Sequence, residues 1–458
     1  MTYRLLIEHG TVVTLDDAFG ESRRADVLIE DGTLAAIESV IACDDCERID
    51  ATGMLVLPGL VESHRHLWYT PWRGRSMDQS YRELRADMWP GLALRYSPDD
   101  VFTATRAGVA ECLDAGITSV LDWCHIVNTP EHASAAVDAL RSMPINPVFA
   151  YGVSMQRKLG ELAEGPWPPA RWDDARRLAS AIDDVGSTGG VSFALALQGP
   201  EATSWENTVS DIGAARDMGL PITMHVGIPQ GPPPMQGVAR LHHAGLLGPD
   251  MNFVHCNAIT DEEIGQIAAA GATVTVTPMA ELVLGLGIPS PGRFKSIGMP
   301  VALGADAVSA ASGDLFDEAR IGLLADRCRA AQAMHANGLP VDIWAAESGV
   351  LTTADALAAI TTEGARACWQ SAVTGSLTRG KRADLILVRA EDQGLFAVGD
   401  PVAAIVAGAH AGNVDTVIVA GRTVKRGGQL QGLDLESIRS ELVTTRDRLL
   451  AVAARHIE

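Results

Sequence analysis

From about Leu57 to Ser371 the chain alternates short apolar runs with longer helical stretches, and this alternation limits the possible folds more than any other feature. Parallel strands cannot be joined by tight turns, and a helical crossover is the usual connection. The pattern therefore predicts a parallel sheet with helices outside it. The candidate strands are Met54–Val61, Thr118–Asp122, Pro147–Tyr151, Val191–Leu197, Ile222–His225, Asn252–His255, Thr273–Thr277 and Val301–Gly304. Eight runs over this length fit a (β/α)8 TIM barrel carrying insertions. An open doubly wound sheet is the alternative, but no G-x-G-x-x-G follows an early strand.

The ends of the chain read differently. Tyr3–Ile7, Thr11–Leu15, Ala25–Glu30 and Leu34–Ser39 alternate as short strands, with turns at Gly10, Asp16-Asp17 and Asp31-Gly32. A second set returns late, as Asp384–Val388, Pro401–Ala407 and Val414–Val419. Neither set buries an apolar face alone, so both ends are expected to build one small β-sandwich. The expected division is 1–56 and 373–432 for the sandwich, 57–372 for the barrel, and 433–458 for a charged amphipathic helix packed outside. A chain of 458 residues is long enough for such a large and a small unit.

Charge and composition exclude several partners. Asp and Glu outnumber Lys and Arg by 57 to 36, and a field of that sign repels nucleic acid and anionic lipid. No long uncharged apolar run suggests a transmembrane helix, and MTYRLLIEHGTVV lacks the apolar core of a secretory signal. The seven cysteines are scattered and odd in number, with only Cys43 and Cys46 forming a C-x-x-C, as expected of reduced thiols in a cytoplasmic protein. A small-molecule substrate remains as the partner.

Barrel enzymes carry their chemistry where strands end. The first strand ends in Glu62-Ser63-His64-Arg65-His66. Residues two apart in a strand share a face, so His64 and His66 can meet one metal while Arg65 points away. Further apolar runs deliver His225, His255 and Asp306. Singly, each is as well explained by an ordinary polar strand end. Together with His64 and His66 they make five metal-competent groups at four strand ends of one inferred barrel.

At these residues the chain resembles the amidohydrolase superfamily, in its chlorohydrolase and cytosine/guanine deaminase-like branch. Pro58-Gly-Leu-Val-Glu-Ser-His-Arg-His66 is similar to that branch's P-G-[FL]-[VI]-[DN]-[TS]-H-x-H signature. The segment from Gly304 to Arg320 resembles its G-[TS]-D…E-x-R stretch, His255-Cys256 its H-C dipeptide, and Gly380-Lys-Arg-Ala-Asp-Leu385 its G-x-x-A-D-L strand. The resemblance implies one divalent metal, zinc or iron, held by His64, His66, His225 and Asp306, with His255 beside the reacting carbon. It also implies a homodimer or larger homo-oligomer. Gln198 ends the fourth strand with no lysine to bridge two metals, which favours a mononuclear site.

Three positions depart from the family pattern. Ile228 stands where deaminase-like relatives carry a proton-shuttling glutamate, Glu281 where they show a Ser-Asn pair, and Tyr69 where many carry glutamine. Asp306 is then expected to act as base, His255 to stabilise developing charge, and Glu281 to substitute as proton shuttle or serve as a salt-bridged carboxylate. Gln198, Trp68, Tyr69 and Trp72 are the candidate substrate contacts, with His125 expected near the rim. The expected reaction is hydrolysis of a C–N bond in a small cyclic or N-heterocyclic compound. Dehalogenation, C–C hydrolysis or a lyase step on the same metal is the alternative, and a catalytically silent relative is the remaining possibility.

Overall fold

A computed structural model describes residues 3–20, 22–152, 169–181, 190–229, 235–340 and 349–454. The N-terminal strands are β1 (Arg4–Val12), β2 (Arg23–Glu30), β3 (Thr33–Glu38), β4 (Glu47–Asp50) and β5 (Met54–Pro58). The barrel strands are β6 (Leu60–Arg65), β7 (Ile117–Cys124), β8 (Asn146–Gly152), β9 (Ser192–Leu197), β10 (Ile222–Val226), β11 (Met251–His255), β12 (Thr273–Val276) and β13 (Ala302–Leu303). The late strands are β14 (Leu385–Arg389), β15 (Val414–Val419), β16 (Arg422–Arg426) and β17 (Gln429–Leu430).

β6 to β13 run in unbroken parallel order, each paired with its sequence neighbour. Every residue of β7 is buried, as a strand covered by helices on one side and by the barrel interior on the other must be. The period of two sorts its side chains. Leu121 and Trp123 of β7 join Val148 and Ala150 of β8, and Ala194 and Ala196 of β9, in one inner cluster. Val120, Phe149 and Leu195 pack into the much larger outer core under the helices. The small alanines on the inner side leave room that bulkier residues of neighbouring strands fill.

The termini form one nine-stranded mixed sheet, with β14 joining β5 antiparallel and so uniting the two ends of the chain. It curls around its own cluster of Leu5, Ile7, Val27, Ile29, Leu385 and Leu387. Its far edge returns on itself, because Leu34 donates to the Lys381 carbonyl (2.9 Å) and Ala383 to that of Gly32 (2.8 Å). The helix Leu435–Ala454 packs against the helix Pro98–Asp114, where Arg448 pairs with Asp100. No helix of the described residues is long and apolar enough to cross a membrane.

Three expected elements come out differently. Met54–Val61 is two strands, because Gly59 breaks the run and lets β5 join the terminal sheet while β6 enters the barrel. Tyr3–Ile7 and Thr11–Leu15 are replaced by the single strand β1, whose irregularity between Ile7 and Gly10 absorbs the expected turn. Pro401–Ala407 is not a strand but the helix Pro401–Gly408. Asp400 caps it by accepting from the amides of Val402 and Ala403, and Pro401 sits at the first helical position, where its missing N–H costs nothing.

Gly59 is the crossing point between the two units. A Cβ there would lie 2.1 Å from Thr118 Oγ1 and 2.3 Å from its Cγ2. Gly59→Ala must therefore push β6 off β7. It should destabilise the protein by about 1–3 kcal/mol, read as a lowered thermal midpoint.

Candidate active site at the carboxyl ends of the barrel strands

β6 carries His64 and His66 to the end of the barrel, and the pairing of β6 with β7 shifts register between Glu62 and Arg65. Arg65 turns away from the histidines. It is fully buried, pairs with Glu111 at 2.6 Å and donates to the Gly313 carbonyl at 3.3 Å. β10 brings His225, β11 brings His255, and Asp306 follows β13. His255 and Asp306 have φ of 74° and 59°, in the left-handed region that non-glycine residues seldom occupy. Such strain persists where surrounding contacts over-determine the backbone, and functional sites are where it collects.

Four of these side chains converge. One ligand atom from each of His64, His66 and His225 can be chosen so that all lie within 4.8 Å of one another. His64 Nε2 lies 3.3 Å from His225 Nε2, and Asp306 Oδ1 is 3.1 Å from His66 Nε2 and 3.5 Å from His64 Nε2. Ligand atoms held about 2.0–2.1 Å from a tetrahedral ion stand about 3.3 Å apart, so these spacings fit a shared cation. Burial pushes His64 down to about 3, which keeps it the neutral imidazole that a metal requires. Burial opposes ionisation of Asp306, yet hydrogen bonds with His64 and His66 hold its carboxyl well below the usual range. His66 Nδ1 lies 2.7 Å from the Trp123 carbonyl, which orients its ring and leaves Nε2 for the cation.

Beneath the histidines lies a buried carboxyl. Glu62 Oε1 accepts from the amides of His64 (3.2 Å) and Ala305 (3.1 Å). Burial pushes Glu62 up to about 7, against the pull of Arg65. It thus ties the first and last barrel strands together without adding a full charge to the site.

His255 stands beside the four. Its Nδ1 is 3.2 Å from Glu281 Oε1 and 3.1 Å from Thr277 Oγ1, and Glu281 Oε1 also accepts from the Thr277 amide at 2.8 Å. Glu281 is fully buried behind His255 and is not among the residues lining the cavity. This is the position of a salt-bridged carboxylate, the other role expected for Glu281, from which it can orient the imidazole.

Above the site opens a cavity of about 230 Å³. His66, His225, His255 and Asp306 line it together with Gln198, Tyr69 and His125. Trp68 and Trp72 are not among the residues that line it. Leu67–Trp72 winds into a 3-10 helix that turns only Tyr69 inward. Trp72 Nε1 donates to the Tyr96 hydroxyl (2.8 Å), which donates to the Trp68 backbone carbonyl (2.8 Å), while the Trp68 indole Nε1 donates to His125 Nδ1 (3.4 Å). The flat walls come instead from Trp123, on β7, and from Tyr81 and Trp89 around the helix Tyr81–Asp87. Ile228 also lines the cavity, as does Glu201, whose Oε2 accepts from the Gly227 amide at 2.8 Å and Oε1 from that of Gly237 at 3.3 Å. Sequence reasoning missed Trp123, Tyr81, Arg85 and Glu201, whereas Trp89 was among the aromatics after the first strand that could line a flat pocket. Trp123 had a signal, because it continues the apolar run Thr118–Asp122 by one residue into a strand end.

Residues 55–424 match the model of the Amidohydrolase family. The chain is 29% identical over 443 residues to the 5-methylthioadenosine/S-adenosylhomocysteine deaminase of Symbiobacterium thermophilum, covering 92% of this chain and 93% of that protein. It is 26% identical over 427 residues to the 5'-deoxyadenosine deaminase of Methanothermobacter thermautotrophicus, covering 91% and 92%. Among solved structures, an adenosine deaminase from Xanthomonas campestris with bound zinc superimposes with a TM-score of 0.81 at 22% identity, over 98% of both chains. The atrazine chlorohydrolase of Arthrobacter aurescens complexed with zinc superimposes with a TM-score of 0.80 at 21% identity, over 96% of this chain and 100% of that one. With the family match spanning most of its length, the chain belongs to the amidohydrolase family of metal-dependent hydrolases acting on carbon–nitrogen bonds.

Proposed function

We propose that this chain is a mononuclear aminohydrolase, releasing ammonia from a small planar N-heterocycle, with zinc or iron held by His64, His66, His225 and Asp306. The observation that carries the reading is the convergence of three imidazoles with Asp306 Oδ1 at one end of an aromatic-walled cavity. Deaminases of nucleosides among the relatives support the reaction class. A bound divalent ion would supply Lewis acidity and make water nucleophilic near neutral pH.

The chain's own residues supply the rest. Asp306 takes a proton from the attacking water as the C–O bond forms, and returns it to the nitrogen as the C–N bond breaks, releasing ammonia. With Nδ1 of His255 facing Glu281 and Thr277, its other ring nitrogen is left for the reacting atoms, where a hydrogen bond stabilises developing charge. Tyr69, Trp89 and Trp123 offer flat apolar surface to a ring and help keep bulk water away. A second reading rests on Ile228, whose apolar side chain carries no proton. It favours a leaving group that departs without prior protonation, such as halide, on the same site.

His66→Ala should lose bound metal and activity together, measured by elemental analysis and by ammonia release on a panel of pyrimidines, purines, triazines and lactams. Full activity in that variant would overturn the metal centre, and halide release without ammonia would favour the second reading. Ile228→Glu should leave metal content unchanged, because the residue lines the cavity wall rather than the ligand cluster. Glu281→Gln should lower kcat/KM roughly ten- to a hundredfold with metal content retained, as expected for a carboxylate that acts by orienting His255.

A further inference from the structure

We propose that Arg85 anchors a carboxylate of the substrate, so that the planar ring bears an anionic group at the end away from the metal ligands. The proposal rests on reading this cavity as the substrate site. Its structural basis lies in the helix Tyr81–Asp87, which begins at Ser80 with a capping box: the Ser80 amide donates to Glu83 Oε2 at 2.8 Å and Ser80 Oγ accepts from the Glu83 amide. Tyr81, Leu84, Arg85 and Trp89 recur at helical spacing and all line the cavity. A helical stripe facing an interior is normally apolar, and an arginine placed there must shed part of its hydration.

The surroundings of Arg85 repay little of that cost. Its Cζ lies 4.4 Å over the Trp89 ring and 5.5 Å from the centre of the Tyr81 ring. Aromatic rings engage the faces of a guanidinium and leave its in-plane N–H donors, the fork that matches a carboxylate with two parallel hydrogen bonds. Among the described residues no carboxylate pairs with Arg85, although the chain carries 57 acidic residues. Other arginines of this region, Arg75, Arg65 and Arg73, do have carboxylate partners. Asp87, on the same helix, takes both Nε and Nη2 of Arg75, at 2.7 and 3.0 Å, while Glu111 takes Arg65 and Arg73.

Arg85 is also the one lysine or arginine among the described lining residues. Glu201 on the same wall has both oxygens engaged by backbone amides. In a chain of net charge −21, the one guanidinium among the described residues lining the cavity is thus stacked on aromatic rings rather than paired with a carboxylate. A planar carboxylate is the ligand whose charge and shape complete it.

Binding to the metal-loaded protein tests this without turnover. Benzoate and nicotinate, titrated calorimetrically against benzamide and nicotinamide, should each bind more tightly than the matching amide. Arg85→Met should weaken the carboxylates roughly ten- to a hundredfold and leave the amides unchanged, with Arg85→Lys between, since a lysine keeps the charge but loses the fork. Two results would overturn the proposal: no carboxylate preference in the unaltered protein, or a preference that survives in Arg85→Met and so resides on the metal. Absence of ammonia release across the heterocycle panel, with the Arg85-dependent preference intact, would sink the aminohydrolase reading and leave this one standing.

Discussion

The first and last barrel strands meet at the residues that carry the chemistry, and the rest of the site is hung on that seam. The Asp306 amide donates to the His64 carbonyl at 2.9 Å, and the His66 amide donates back to the Asp306 carbonyl at 2.8 Å. One turn below, Ser63 Oγ donates to the Leu303 carbonyl at 3.0 Å, and Glu62 bridges the amides of His64 and Ala305. Barrel closure and the alignment of three candidate ligands are therefore one set of hydrogen bonds. A backbone fixed from both sides can hold Asp306 at positive φ, where an unsupported aspartate would relax.

Burial gives the seam its electrostatic consequences. In a water-excluded pocket a neutral imidazole is the stable form, which His64 illustrates, and an aspartate ionises only if donors face it, as His64 and His66 face Asp306. The same burial raises Glu62, so the inner carboxyl ties the strands at smaller electrostatic cost. Grouping three imidazoles and a carboxylate within a few ångströms is expensive for a protein by itself, and a cation offsets that expense.

The parts of this arrangement that follow from period and position were legible in the sequence. His64 and His66 lie two apart at a strand end, and His225, His255 and Asp306 each close an apolar run, so their convergence follows once the barrel is recognised. Side-chain roles set by tertiary packing were not legible. Trp68, Tyr69 and Trp72 are equivalent in sequence, and only the winding of Leu67–Trp72 into a 3-10 helix turns Tyr69 inward while the Trp72 indole reaches Tyr96 and the Trp68 indole reaches His125. Glu281 could be read as a proton shuttle or as a salt-bridged carboxylate, and only the helix Pro278–Leu284 sets it against His255. Pro401–Ala407 has the composition of a strand, but the Asp400-Pro401 pair that starts a helix carries more information than its β-branched residues.

Ile228 and Glu201 together narrow how a proton can travel. A branched alkyl group occupies the wall where a shuttle would be expected, and the nearest carboxylate on that wall has each oxygen held by a backbone amide. Those bonds join the loop after β9 to the loop after β10, so swinging Glu201 toward the metal ligands would release Gly227, two residues from His225. A group whose movement loosens a ligand strand is poorly suited to cycle protons at each turnover. Asp306, held ionised by its imidazole donors, is the carboxylate left at the reacting end to which the proposed reaction assigns the proton. A single carboxylate that both took and returned the proton would tie the basicity of the leaving group to that of Asp306 and favour substrates whose ring withdraws electrons from the departing nitrogen.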